Sequence, residues 1–254
     1  MILCTISQQR SGTKMLGAYF NNGMLVRSYG EVFWWGDKRH CWLFPTFLAN
    51  EPRYSNTPIE KHLNDFFDSL LLTDRHIHFD LMYNQTSFIV DPWWDKVEKY
   101  IYNYIKMREV GVIHLKRDLA DVFCSHKYLC LSGVSHFFEH TELHNKEKGI
   151  ELDLDEFEAF RRETMLFRNE VDQVFSGYSK FINLSYDEIL PQKKFLKMSV
   201  QKRLIATMEL ETDPDYKLQV APNPMLKTPV DYSKVFKNYI ELKQYLREAD
   251  ERMA

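Results

Sequence analysis

The sequence predicts an α/β fold in three layers, with a mostly parallel central sheet and helices on both of its faces. Short apolar runs typical of buried strands alternate along the chain with longer segments whose apolar residues recur at helical spacing. This alternation is typical of strands joined by helical crossovers, which form parallel sheets covered on both faces. The chain has no internal repeat and no linker rich in Pro, Gly or Ser, so a single domain, 1–254, is predicted.

The individual strands and helices are predicted from these two patterns, the short apolar runs and the helical spacing of apolar residues. Four buried strands are predicted, at residues 3–6, 77–83, 110–115 and 181–184. Helices are predicted at residues 13–22, 59–72, 94–107, 119–131, 154–175, 193–208 and 235–247. Because ligands bind at the carboxyl ends of parallel strands, the residues that directly follow the four strands are expected to carry the chemistry.

Composition and charge exclude several classes of function. The formal net charge of -3 argues against a general nucleic-acid or membrane-surface binder, which would usually be basic. No segment has the length and apolar character of a membrane span, and no secretory signal is recognised. The four cysteines lack metal-ligand spacing, so buried reduced thiols and a cytoplasmic location are expected. The sequence leaves the oligomeric state open.

A Gly-centred loop, "QQRSGTKM", follows the first predicted strand. Gly12 permits a tight turn, Thr13 adds a hydroxyl at a new helix N-terminus, and Arg10 adds a permanent positive charge. This combination predicts a phosphate or sulfate site, with a routine strand–helix turn as the alternative. A Walker A loop is not expected, because Ser7 stands where its first Gly is required and Lys14 follows the Thr instead of preceding it.

A second candidate loop lies in the run "HLKRDLADVFCSHKY". Arg117 ends a predicted strand, and Ser125 lies eight positions later, about two turns into the next helix. Both side chains are therefore expected to reach one phosphate. Taken alone, such an Arg–Ser pair is usually structural.

The two loops, in this order, resemble those of the PAPS-dependent sulfotransferases, whose sulfuryl donor is 3′-phosphoadenosine 5′-phosphosulfate (PAPS). The similarity is to the carbohydrate-sulfating branch that includes bacterial trehalose-type enzymes. The family's 5′-phosphosulfate loop has the pattern K/R-S-G-S/T-S/T, which "RSGTK" matches at Arg10, Ser11, Gly12 and Thr13, with Lys14 where a second hydroxyl is usual. The resemblance implies a P-loop NTPase-like fold in which these five residues bind the donor.

Two further fragments carry the resemblance. The family's 3′-phosphate motif, R-x-P-x-D-x-x-x-S, is similar to "RDLADVFCS" at Arg117, Asp121 and Ser125, although the proline is absent here. The fragment "LSYDEIL" resembles the family's tyrosine-acidic-acidic-leucine signature after a core strand, which implies that Tyr186 lies near the nucleotide.

Sulfuryl transfer to a hydroxyl requires a base that takes the acceptor proton. The resembled branch uses a Glu shortly after the first helix, and "SYGEVFWW" places Glu31 there, with Gly30 before it and Phe33 two positions later. Glu31 is therefore the predicted base, with a solvated loop carboxylate as the alternative. Trp34 and Trp35 are candidates for the acceptor site.

The match has two departures and one competing motif. Asp80 occupies a strand end where the family often carries a Lys, which is expected either to weaken donor binding or to make Asp80 a second base candidate beside the histidines. A C-terminal cation for the 3′-phosphate has no clear counterpart, and Lys227 is only a candidate. The run "HFFEH" at 136–140, continued by His144, matches an inverted zinc-protease helix, but no pattern singles out a further acidic ligand, so no metal is predicted.

These observations together predict a sulfotransferase that moves a sulfuryl group from PAPS to a hydroxyl of a sugar or other small alcohol, leaving 3′,5′-ADP. Glu31, Arg10 and Lys14 are the predicted catalytic residues. A P-loop-like nucleotide or small-molecule kinase is the first alternative, and a non-catalytic nucleotide-binding or interaction protein is the second. The acceptor, a small molecule or glycan, is not identified by the sequence.

Overall fold

Within the described part of the chain, five parallel strands form the central sheet. The computed structural model describes residues 1–22, 26–33, 44, 47, 58–72, 74, 76–83, 92–132, 149–190, 196–210 and 231–251, with side chains at all of these except 92–99 and 250. The strands are β1 (Ile2–Ser7), β2 (Arg27–Ser28), β3 (Ile77–Met82), β4 (Gly111–Lys116) and β5 (Phe181–Ser185). Their order across the sheet is β2-β3-β1-β4-β5, and each neighbouring pair is parallel.

Helices alternate with these strands along the chain. They are α1 (Thr13–Asn22), α2 (Ile59–Leu71), α3 (Pro92–Met107), α4 (Leu119–Ser132), α5 (Leu154–Val174), α6 (Tyr186–Ile189), α7 (Met198–Met208) and α8 (Tyr239–Glu251). Among the described residues, no helix is long and apolar enough to cross a membrane.

The sheet is covered on both faces, which explains why its central strands are apolar on both sides. On one face, α1 and α7 pack against side chains of β1, β4 and β5, in a core cluster that includes Leu3, Leu115 and Leu204. On the other face, the ring of Phe79 on β3 lies 4.9 Å from that of Phe67 on α2, which in turn stacks on Tyr104 of α3 at 5.6 Å. The predicted α/β class, with helix layers on both sides of a parallel sheet, is confirmed.

The chain divides into two compact units. The first comprises Met1–Lys116 and Asn169–Ala221 and contains the whole sheet, whereas the second comprises Arg117–Arg168 and Pro222–Ala254. The second unit has a core of its own, formed by residues of α4, the start of α5 and the C-terminal segment. The Asn238 side chain fastens that segment by accepting from the Leu152 N–H at 2.9 Å and donating to the Leu152 carbonyl at 2.8 Å. The single domain remains a prediction.

Several predicted boundaries are corrected. The helix predicted at 193–208 begins only at Met198, because Lys197 has extended backbone, and its residues 193–195 lie outside the described part of the chain. The helix predicted at 235–247 begins at Tyr239, because the preceding residues hold Asn238 against Leu152. Strand β2 and helix α6 were not predicted, since two and four residues are too few to show a periodicity.

The cysteine prediction is correct for two of the thiols. Cys4 and Cys124 are buried and free, whereas Cys130 is free but exposed, which corrects the expectation of burial. Its sulfur lies 3.9 Å from Nδ1 of His126, one turn earlier on the exposed side of α4. Cys41, Trp34, Trp35, Lys227 and the histidine run at 136–144 lie outside the described residues.

Candidate anion-binding site

The loop between β1 and α1 is compact because two of its residues adopt left-handed backbone. Arg10 has a φ of 70° and Gly12 a φ of 97°, and the Ser11 N–H donates to the Gln8 carbonyl at 3.3 Å. Helix α1 then begins at Thr13, and its first turn is closed by N–H groups of Met15 and Leu16 that donate to the Gly12 carbonyl at 3.0 and 3.2 Å. The first N–H groups of a helix have no acceptor within the helix, so this turn can bind an anion.

The Tyr186 ring covers Gly12. A Cβ built on Gly12 would lie 2.7 Å from both Cδ2 and Cε2 of Tyr186, closer than real contacts allow. Gly12 is therefore required twice, by its positive φ and by the ring against its Cα. The contact places Tyr186 beside the loop that is predicted to bind the donor, and its position near a nucleotide remains a prediction.

Helix α6 fixes the position of Tyr186 after strand β5. Its N-terminus carries a capping box, in which the Ser185 N–H donates to Oε2 of Glu188 at 2.7 Å and the Glu188 N–H donates to the Ser185 hydroxyl at 3.3 Å. At the other end, the Tyr19 hydroxyl of α1 donates to the Ile189 carbonyl at 2.9 Å. Helices α1 and α6 are thus joined on either side of the loop.

The two hydroxyl residues of the loop are both buried. Ser11 is 1% exposed, and its Oγ has no hydrogen-bond partner among the described residues. The Thr13 hydroxyl is hydrogen-bonded to the Asp80 carboxyl, and this bond lowers the pKa of Asp80. A buried hydroxyl without a partner is costly, so Ser11 is a ready donor for a ligand atom.

Four ionisable side chains interact around the loop. Lys14 is exposed as a residue, but desolvation of its ammonium group lowers its pKa, as does the positive charge of Arg10. The negative charges of Glu31 and Asp80 act on Lys14 in the opposite direction. The structure therefore brings the predicted Arg10, Lys14 and Glu31 into one electrostatic neighbourhood with Asp80.

Glu31 is placed by the short strand β2. Beyond β2 the chain continues alongside β3, since the Tyr29 N–H donates to the His78 carbonyl and the Asp80 N–H to the Gly30 carbonyl, each at 2.8 Å. Gly30 has a φ of 67°, and a Cβ at that position would meet no atom within 4 Å. The half-buried Glu31 follows at once, and its charge acts on both Lys14 and Asp80.

Asp80 lies beneath this cluster in a neutral, buried setting. Burial, reinforced by the negative charge of Glu31, raises the pKa of Asp80 to about 8. Its Oδ1 lies 3.6 Å from Nε2 of His78, yet this is not an ion pair, because burial lowers the pKa of His78 to about 3. The His78 ring is instead fixed by the hydroxyls of Thr5 at 2.7 Å and Ser28 at 2.8 Å, so this histidine is structural.

The second predicted motif lies in the second unit. Arg117 is half-buried, and its carbonyl accepts a hydrogen bond from Nη2 of Arg168, a residue that the sequence did not single out. Ser125 is buried on α4, within two turns of the helix start. The Asp121 carboxylate accepts a hydrogen bond from the Tyr239 hydroxyl at 2.7 Å and forms an ion pair with the Lys243 ammonium group at 2.9 Å. These contacts give Asp121 a structural role.

A second buried polar chain was missed by the sequence analysis. The His114 ring on β4 is hydrogen-bonded to the Tyr83 hydroxyl through Nε2 and to Asp172 through Nδ1, at 2.9 Å in the second case. Lys116 donates to the other oxygen of Asp172 at 2.6 Å. The signal was present in "VIHLK", where a histidine interrupts a buried apolar strand and therefore needs polar partners.

No protein-family model matches this chain, and no match to a curated protein is found.

Proposed function

We propose that the chain is a sulfotransferase that moves a sulfuryl group from PAPS to a hydroxyl of a sugar or other small alcohol. The observation that supports this proposal best is the loop after β1, in which a left-handed Gly12 is covered by Tyr186 and flanked by Arg10 and Lys14. This arrangement suits a multiply charged anion, because it combines backbone N–H groups, a buried Ser11 hydroxyl and two cations.

The loop suits PAPS better than an ordinary nucleoside triphosphate. It lacks the Walker A spacing, and its Lys14 follows the helix start instead of preceding the hydroxyl residue.

The proposed reaction breaks the bond between sulfur and the bridging oxygen of the donor and forms a bond between sulfur and the acceptor oxygen. When bound, PAPS supplies the sulfuryl group. Glu31 accepts the proton of the acceptor hydroxyl as the new bond forms. Arg10, Lys14 and the N–H groups of Gly12 and Thr13 stabilise the negative charge that develops on the departing phosphate, and loss of one such donor typically costs about 3 kcal/mol of transition-state stabilisation.

The remaining roles are proposed on the resemblance of the second motif. Arg117 and Ser125 are assigned to the 3′-phosphate, where a guanidinium and a hydroxyl contribute affinity for the donor and not rate. Tyr186, which covers Gly12, is assigned to the nucleotide beside the loop.

A thermal-shift comparison of 3′,5′-ADP with ATP plus Mg²⁺ tests the proposal. A ligand that binds only the folded protein adds about 2.7 kcal/mol to its stability at a hundredfold excess over Kd. We expect a clear rise in Tm with 3′,5′-ADP and a smaller one with ATP plus Mg²⁺. A rise with ATP plus Mg²⁺ and none with 3′,5′-ADP would favour the kinase alternative.

Turnover is the second part of the test. Labelled PAPS is incubated with a panel of sugars, aliphatic alcohols and phenols, and transfer of label to an acceptor is measured. Binding of 3′,5′-ADP without transfer to any class of acceptor would favour the non-catalytic alternative.

A further inference from the structure

Asp80 is a buried carboxyl beside the loop between β1 and α1, and the proposed reaction assigns it no role. It is 2% exposed, its Cα pairs with that of Thr5 across β1 and β3, and its N–H is fixed to the Gly30 carbonyl. One of its oxygens, Oδ1, is buried without a hydrogen-bond partner among the described residues. An ionised carboxylate in this setting would be poorly solvated.

Four charged or titratable groups of the described residues interact with Asp80. They are Lys14 of α1, Glu31 after β2, His78 of β3 itself and Cys4 of β1. His78 does not titrate near neutral pH, because burial holds its pKa at about 3. Burial, and then the charge of Asp80, keeps the pKa of the Cys4 thiol well above its usual value. Within the part of the chain that the structure describes, the positive charge of Lys14 lowers the pKa of Asp80, and Lys14 is itself acted on more strongly by Glu31 than by Asp80.

We propose that Asp80 sets the pH range in which the loop binds anions, because its ionised form adds a buried negative charge that competes with the anion for Lys14, beside the charge of Glu31, whereas its neutral form adds none. This inference rests on the proposed anion binding by the loop. Asp80 is thus a positioning residue that acts through Lys14. It is not a contact of the reacting atoms.

Anion binding by the loop and protonation of Asp80 favour one another. The pKa of Asp80 is about 8 without an anion, and an anion beside Lys14 withdraws the positive charge that favours ionisation, so it raises that pKa further. Above about pH 8, anion binding must therefore be accompanied by uptake of one proton, and Kd rises up to tenfold per pH unit. Below about pH 7 Asp80 is already neutral, and Kd is independent of its titration.

The test measures Kd for 3′,5′-ADP between pH 6.5 and 9.5 by calorimetry, in buffers of different ionisation enthalpy. The phosphates of this ligand have lost their second proton near pH 6, so they do not titrate above pH 7. For the wild type we expect a Kd that rises above about pH 8, with uptake close to one proton at pH 9. Asp80→Asn is expected to bind with a flat profile and no proton uptake.

Two further variants separate Asp80 from its neighbours. Lys14→Arg keeps its charge at every pH tested, so its profile should still rise above about pH 8. Glu31→Gln removes a charge that raises the pKa of Asp80, so the rise should begin at a lower pH. A rising profile in Asp80→Asn, or a flat profile in Lys14→Arg, would overturn the inference.

Inorganic sulfate, which does not titrate in this range, distinguishes failure of the inference from failure of the proposed function. If 3′,5′-ADP does not bind but sulfate raises Tm, the nucleotide assignment fails, and the same comparison of variants is made with sulfate. If neither ligand binds at pH 7, the anion site and the role of Asp80 are both overturned.

Discussion

Tyr186 and Gly12 are in such close contact that the ring occupies the space a Cβ at residue 12 would need, 2.7 Å from both Cδ2 and Cε2. The contact joins the loop after β1 to the short helix after β5, two carboxyl ends of the sheet that are separated by most of the first unit's sequence. It makes the conformation of the loop after β1 dependent on the aromatic side chain of Tyr186, which the resemblance predicts to lie near a nucleotide.

Gly12→Ala is expected to lower Tm and to abolish the stabilisation by 3′,5′-ADP. The positive φ alone should cost about 1 kcal/mol, and the steric conflict with Tyr186 adds to it. Gly177→Ala is the matched control, because Gly177 has a φ of 74° and no atom within 4 Å of a built Cβ. Equal losses of Tm in the two variants would contradict the contact. Tyr186→Ala added to Gly12→Ala should restore part of the loss.

Glu31→Gln is expected to keep the affinity for 3′,5′-ADP at pH 7 and to lower turnover of labelled PAPS by 10²–10⁴-fold, since a positioned general base contributes about that much. Glu60→Gln serves as control, because Glu60 is an exposed carboxylate in the first turn of α2. Near-normal turnover in Glu31→Gln would remove Glu31 from the reaction and leave Asp80 or a histidine as the base.

Arg117→Ala is expected to weaken binding of 3′,5′-ADP by about 10–100-fold, as loss of a charge-assisted hydrogen bond typically does, and to leave 5′-AMP binding unchanged. Calorimetry with the two nucleotides provides the measurement. Arg162→Ala is the control, because that side chain is 74% exposed and pairs with Glu158. Equal losses for both nucleotides would show that Arg117 does not distinguish the 3′-phosphate.

The loop after β1 and helix α1 could be predicted from the sequence, because both depend on local signals, whereas the four-residue α6 beside the loop could not. Gly12 and Thr13 mark a turn and a helix start, and the bounds of α1 agree with its predicted residues 13–22. The state of Asp80 could not be predicted in this way. Its burial depends on β2, a strand of two residues without a periodicity of its own, and on a histidine whose partners lie 50 and 73 positions away.

In the second unit, too, features that depend on local signals could be predicted, whereas those that depend on distant partners could not. The position of Ser125 on α4 follows from helical spacing, and the structure agrees. The hydrogen bond that the Asp121 carboxylate accepts from the Tyr239 hydroxyl, 118 positions later, does not follow from the motif that contains Asp121. Long-range partners of polar residues are the part of a site that a single sequence does not specify.

Asp80→Asn is expected to stabilise the protein at pH 8 and to have little effect at pH 4. The folded pKa of Asp80, about 8, lies above the value near 3.9 of an unfolded chain, so between these values the folded state binds the additional proton. Stability therefore falls as pH rises through this window, by up to about 1.4 kcal/mol per pH unit, and an asparagine does not have this loss. The difference in Tm between variant and wild type, followed from pH 4 to pH 8.5, measures it.

Asp172→Asn is the control, because the stability that Asp172 contributes is expected to depend on pH in the opposite direction. Burial tends to raise the pKa of Asp172, but hydrogen bonds from Lys116 and His114 outweigh it, and the pKa lies below its ordinary value. Asp172 therefore stabilises the fold above about pH 4, and this contribution is lost as pH falls through its folded pKa. Asp172→Asn should be less stable than the wild type at pH 7 and approach it in acid. If Asp80→Asn followed the same course, Asp80 would be an ionised partner of Lys14 at neutral pH, and the buried neutral acid would be refuted.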